Sequence, residues 1–358
     1  MGIPTTVKIV EDYIAEKIRS LGRVRPQLSL EDWVVGNFGR TMFDIYFREY
    51  SEKVWGIDCK RISVDWVAQR IRGLSLGGAI KNAFFKFSGR DIPSLVDCFS
   101  YPQHGIGRIA ERLREEIEKD NVVHAGVPVI KVRHSRSTIE YIETASNTGT
   151  HKAAGNQFIS SIPITKLVQL LDPAAPADVL NAASKMKFRD LVIVAVMVDR
   201  KQATEQTWIY IPEKKIPFGR IHEPTNWSGK MAPEGKTILV AEYFSFEGDD
   251  IWNASDDQLA DITCRGLEQL GFISRSEVSG SAVVRARQAY PLFEIGYADQ
   301  CSVLYKYLSS FSNLHLAGRV GMFKYYNMDH AIESGLQAAD DVMQKMIGDR
   351  QWEIGMVA

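Results

Sequence analysis

Gly318 and Arg319 end a short apolar run, Leu314-His315-Leu316-Ala317, and a helical run opens eight residues later at Asn327-Met328-Asp329. This order of residue types suits an elongated, partly anionic ligand. Glycine lets a backbone approach without a Cβ clash. A planar guanidinium at a strand end matches a diphosphate. A helix N-terminus brings unpaired N–H groups and about half a positive charge. Asn327 and Asp329 can cap that turn while backbone N–H groups stay available to the ligand. A strand-turn-helix carrying a surface arginine is the plain structural alternative.

Two other motifs fail on their flanks. Gly105-Ile106-Gly107-Arg108-Ile109-Ala110 fits G-x-G-x-x-A. A dinucleotide loop needs a buried strand before it, and Tyr101-Pro102-Gln103-His104 is not one. A tight turn into an amphipathic helix is expected instead. Gly73-Leu74-Ser75-Leu76-Gly77 fits G-x-S-x-G. A helix-like segment leads into it where a nucleophile elbow needs a strand. The seven histidines are dispersed, and Cys59, Cys98, Cys264 and Cys301 form no metal-ligand spacing.

Positioning these residues requires mixed α and β elements. Apolar spacing predicts helices over 7–21, 63–71 and 106–117. Ser29-Leu30-Glu31-Asp32 predicts a capped helix running to Phe47, and Ser255-Asp256-Asp257-Gln258 another to Leu270. A hairpin is expected over 127–132 and 138–142. Strands are expected over 158–163, 190–198, 207–211, 237–244 and 278–285. Asp172-Pro173-Ala174-Ala175-Pro176 is a break.

The chain has 358 residues, 45% apolar and 24% charged, with a net charge of −1. A packed core is expected, and no electrostatic footprint for nucleic acid is present. No apolar run reaches the roughly 20 residues of a membrane span. No signal peptide is visible at Met1-Gly2-Ile3-Pro4, so reduced thiols and a cytoplasmic location are expected.

In order along the chain, several segments resemble the flavin-dependent amine oxidase and protoporphyrinogen oxidase-like superfamily, which includes UDP-galactopyranose mutase. They are Tyr50-Ser51-Glu52-Lys53-Val54-Trp55-Gly56, Trp66-Val67-Ala68-Gln69-Arg70-Ile71, Tyr101-Pro102 with the Gly105–Ala110 turn, Val129-Ile130-Lys131-Val132, Ser160-Ser161-Ile162-Pro163, Ala289-Tyr290-Pro291 and the C-terminal motif. The resemblance implies a mixed α/β flavoprotein fold with FAD as cofactor. A mainly helical part of the substrate domain would occupy 1–100, and 101–163 would return into the flavin domain. A mixed-sheet substrate domain would follow over 164–310, and a closing strand-loop-helix over 311–358.

The resemblance also assigns residues. Gly318 and Arg319 would meet the diphosphate and ribityl region, and Asn327, Met328, Asp329 and Ala331 the ring end. Val129 would meet the adenine side, and Pro163 lies at the crossover. Tyr290, Trp227, Asn226, Arg220 and Tyr325 are the substrate-cavity candidates. The implied activity is hydride transfer from a small organic substrate to flavin. A mutase-like sugar-nucleotide isomerase and an inactive fragment are the alternatives. Asn327, where the mutase branch has aspartate, weakens the first of these.

The family opens with a strand, a G-x-G-x-x-G turn, a helix and an acidic residue for the adenosine ribose. This sequence shows no such βαβ unit. The expectation is a fragment of a longer protein, a split flavoprotein whose missing segment a companion chain supplies, or a chain that has lost binding; by itself it would bind cofactor weakly or not at all.

Overall fold

Ser255 accepts a hydrogen bond from the Gln258 N–H, and the Gln258 side chain accepts one from the Ser255 N–H. This reciprocal cap starts the helix Asp256–Gln269, as the S-x-x-Q spacing predicts. The computed structural model describes residues 3–20, 26–70 and 99–356. The 73–77 motif, the aromatic stretch 84–87 and Cys98 therefore lie outside the described residues.

The described strands are β1 (Val129–Ser135), β2 (Thr138–Ser146), β3 (Gly149–Ala154), β4 (Phe158–Ser160), β5 (Leu171–Asp172) and β6 (Phe188–Val198). They continue with β7 (Trp208–Tyr210), β8 (Arg220–His222), β9 (Thr237–Ser245), β10 (Val278–Pro291) and β11 (Leu314–Leu316). The chain divides into two compact units. The first is Met1–Val123, Arg189–Arg287 and Phe293–Ile295, and the second is His124–Phe188, Gln288–Leu292 and Gly296–Ala358.

The first unit opens with helices α1 (Ile3–Ser20), α2 (Leu30–Phe38), α3 (Arg48–Trp55), α4 (Val64–Arg70) and α5 (Gly107–Ile117). Ser29 and Asp32 form the predicted capping box of α2. The helix expected to run to Phe47 stops at Gly39, whose φ of 85° leaves the helical region, and the Asp12 carboxylate of α1 then accepts the Thr41 N–H at 3.1 Å. The chain then continues through a π-helical turn at Phe43–Phe47 into α3.

The sheet of this unit has the order β10-β6-β9-β8-β7. In the β6–β9 register Val196 faces Leu239, Val194 faces Ala241 and Val192 faces Tyr243. All six are fully buried, and α8 (Asp256–Gln269) packs Leu259, Cys264 and Leu267 into the same core. Val192, Val194, Val196 and Val198 of β6 face this core, while Ile193 and Ala195 on the opposite face are half-buried and Met197 is exposed. Arg189, the second residue of β6, is buried. It donates to Val54 O and Phe244 O, and its guanidinium lies 4.1 Å from the Phe246 ring centroid. Burial brings its pKa down to about 10.

The second unit holds the sheet β3-β2-β1-β5 and the parallel pair β11-β4. Its helices are α6 (Ile164–Gln169), α7 (Ala177–Lys185), α9 (Tyr297–Leu308) and α10 (Met328–Met356). The buried Asn313 sets the start of β11. Its side chain accepts the Ile139 N–H and donates to Ile139 O and Asn156 O.

The expected boundary of 164–310 differs from this division. Residues 164–188 and 296–310 group with the second unit, where α7 packs against α6 and α9. Among the described residues no helix is long and apolar enough to cross a membrane. Cys59, Cys264 and Cys301 are free and buried. Burial pushes the Cys59 and Cys301 thiols up to about 12, which makes them poor nucleophiles.

Candidate flavin site

β4 and β11 run parallel, with Leu314 opposite Phe158 and Leu316 opposite Ser160. β4 leads closely into α6, while β11 leads through the loop 317–327 into α10. Pro163 stands at the N-cap of α6, and the Ile164 N–H donates to Val320 O at 3.1 Å. That bond ties the crossover to the loop after β11. Gly318 follows β11 with φ 78°, a conformation that costs other residues. Its N–H donates to Ser334 Oγ at 2.9 Å, so α10 is fastened to the strand end.

Gly321 is required by space. A Cβ there would lie 2.3 Å from Ala317 O and 3.0 Å from Ser161 Cα. The turn closes through Met322 N–H to Gly318 O and Lys324 N–H to Arg319 O. Phe323 anchors it, buried against Phe188 and Tyr297. The Tyr305 hydroxyl donates to Met322 O.

Arg319 is a clamp inside this loop. Nε donates to Tyr326 O at 2.5 Å and Nη1 to Ala289 O at 3.2 Å. Its guanidinium lies 4.9 Å from the Tyr290 ring centroid and 5.7 Å from that of Tyr325. The two rings stack with centroids 6.3 Å apart. Tyr290, Arg319 and Tyr325, separate in sequence, are thus brought together.

α10 begins where Asn327 O accepts the Ala331 N–H at 3.0 Å. The N–H groups of Met328, Asp329 and His330 precede that first intrahelical bond. Residues 327–330 are exposed, so the positive end of a 29-residue helix faces outward. Val129 is the half-buried first residue of β1.

The remaining cavity candidates lie in the first unit. Asn226 braces a loop: Nδ2 donates to Thr204 O and Gln206 O, and Oδ1 accepts from Gln202. Trp227 joins a three-ring cluster, its centroid 5.3 Å from His222 and 5.9 Å from Trp208. Arg220 pairs with the buried Glu242 across the β8–β9 register. Burial and the Arg220 charge hold His222 at about 4, so its imidazole is neutral near pH 7. Its Nδ1 stands 3.6 Å from Glu242, too long for a hydrogen bond. Burial raises the Glu242 carboxyl while Arg220 pulls it back.

Sequence reasoning missed Glu242. A carboxylate inside Leu239-Val240-Ala241-Glu242-Tyr243 is a charge in an apolar strand, and that was the available signal. Glu223 is fully buried and accepts from the Ala203 and Thr204 N–H groups and from Thr237.

A profile of the family described as flavin containing amine oxidoreductase matches residues 28–343. The chain belongs to the flavin containing amine oxidoreductase family. Its mixed architecture is similar to solved structures of that kind. Reduced UDP-galactopyranose mutase superposes with a TM-score of 0.79 at 20% identity, covering 96% of this chain and 74% of that one. A protein assigned as a protoporphyrinogen oxidase from Exiguobacterium sp. 255-15 gives 0.70 at 15% identity, covering 96% and 73%. A redesigned putrescine oxidase gives 0.59 at 12% identity, covering 95% and 75%. At such identities the likeness is one of fold.

For this family the relevant group is a flavin, and the donor set suits one. The open start of α10 faces outward, Gly318 keeps the strand end without a side chain, and Arg319 holds the intervening loop.

Proposed function

We propose that this chain is an FAD-dependent oxidoreductase and that the β11–α10 junction holds the ring end of the cofactor. The observation that carries the reading is the exposed start of α10, fastened to Gly318 through Ser334. Backbone N–H groups of Met328, Asp329 and His330 would meet the negative edge of the ring. Gly318 would let the ribityl and phosphate portion pass close to the backbone. Bound flavin would supply the acceptor for hydride from a C–H next to nitrogen, oxygen or an unsaturated carbon. Tyr290 and Tyr325 would flank a small organic substrate, with Arg319 fixing both rings from below the loop.

The reading assigns this site only half of a dinucleotide. Among the described residues no strand leads through a G-x-G-x-x-G turn into a helix. Gly105, the nearest match, closes a turn through its N–H to Pro102 O and starts α5 from a loop. FAD fluorescence polarisation at several hundred micromolar protein tests the proposal. The expected result is weak, saturable binding that Gly318→Val lowers at least tenfold. Absence of binding at that concentration would overturn it.

A further inference from the structure

Helix α1 carries apolar residues on two opposite faces. One face seats the helix in the first unit. Ile9 is buried there, the Asp12 carboxylate accepts the N–H and the hydroxyl of Thr41, and Lys17 Nζ donates to Gly36 O at 3.1 Å. Gly39 allows the close approach, since a Cβ on it would lie 3.0 Å from Tyr13 N. These contacts fix the rotation of α1 about its axis, so its outer face is set as well.

That outer face repeats Val7, Val10, Ile14 and Ile18, the spacing i, i+3, i+7, i+11 that makes one stripe on a helix. Val7, Ile14 and Ile18 are 49%, 51% and 61% exposed, and Val10 is half-buried. At 1.5 Å per residue the stripe is about 16 Å long. A surface helix needs one apolar stripe for its own core. A second, exposed one is the mark of a docking surface.

Charge selects the occupant. Helical spacing puts Glu11 and Arg19 on one flank of the stripe and Lys17 on the other, and all three are exposed. An identical helix laid antiparallel and crossing at Ile14 sets Ile14 against Ile14 and Val10 against Ile18. It also brings Glu11 beside Arg19 of the second copy, and two-fold symmetry repeats the pair. Arg19 reaches Glu16 of its own helix at 3.6 Å, beyond hydrogen-bond distance, so its head group can turn to that partner. A copy laid parallel and in step would instead bring Arg19 near Lys17, with the helix dipoles aligned. The stripe is complementary to itself in the antiparallel direction.

We propose that α1 is a homodimer contact, in which two copies of this chain pair antiparallel through Val10, Ile14 and Ile18. A stripe this short belongs with small, reversible interfaces, so association follows concentration. The contact lies within the first unit and does not depend on the flavin reading.

Sedimentation velocity of the full chain over a concentration series tests it. The expected result is a coefficient that rises from the monomer value to the dimer value. Ile14→Glu sets two carboxylates against each other at the crossing and should weaken association about tenfold or more. Ile14 is exposed, so this variant keeps its fold. Glu11→Arg should weaken association about fivefold. The charge-swapped pair Glu11→Arg with Arg19→Glu should restore it. A monomer at every concentration would overturn the proposal. If that monomer cosediments with phosphatidylglycerol vesicles, a lipid surface takes the stripe instead. Dimerisation that Ile14→Glu leaves intact lies elsewhere on the molecule and overturns the proposal too. Failure of the charge swap to recover the affinity lost in Glu11→Arg would overturn the antiparallel pairing.

Discussion

Arg319 shows how one side chain sets several others. Its fork spans Tyr326 O and Ala289 O while its flat face lies beside two tyrosine rings. Lysine keeps the charge but has no planar fork. Arg319→Lys should cost about 1–3 kcal/mol in urea unfolding and weaken FAD binding by about tenfold. An unchanged affinity would show that the clamp does not shape the ligand site. His222 makes a pH prediction. Its folded pKa lies near 4, below the ordinary 6.5, through burial and Arg220. The unfolded chain takes up a proton that the folded imidazole refuses. Its contribution is therefore complete above pH 6.5 and is lost as pH falls toward 4, by about 3 kcal/mol. Arg220 and Glu242 are the charged groups found facing it. Thermal unfolding of His222→Gln against the parent should show a flatter slope in that window. Equal slopes would contradict the assignment.

At the scale of elements, the turn between β11 and α10 is governed by space. Gly321→Ala puts a Cβ 2.3 Å from Ala317 O, so the backbone must move. The expected cost is about 3 kcal/mol, seen as a lower urea midpoint. Ser255→Ala removes a helix cap in the other unit and should cost about 1 kcal/mol without altering FAD binding. A change in FAD binding there would contradict the separation of the two roles.

The sequence revealed elements where a single local rule acts. β6 is apolar from Leu191 to Val198, α8 carries its capping box, and α10 opens at the Asn-Met-Asp that marks it. α6, α7 and α9 escaped notice for physical reasons. α6 has six residues, α7 follows a proline-rich break, and α9 starts at Gly296 with no side-chain cap. The Arg220–Glu242 pair was hidden because only the β8–β9 register brings residues 22 positions apart together.

At the scale of the whole molecule, family membership is shown over residues 28–343. The first unit is held by the α8-covered sheet, and the second carries the β11–α10 junction. The most direct test of the flavin assignment is a map of amide chemical shifts in the isotope-labelled chain during an FAD titration to millimolar concentration. The account predicts shifts concentrated at Gly318 and at Met328, Asp329, His330 and Ala331. Shifts confined to other residues, or none at all, would contradict it.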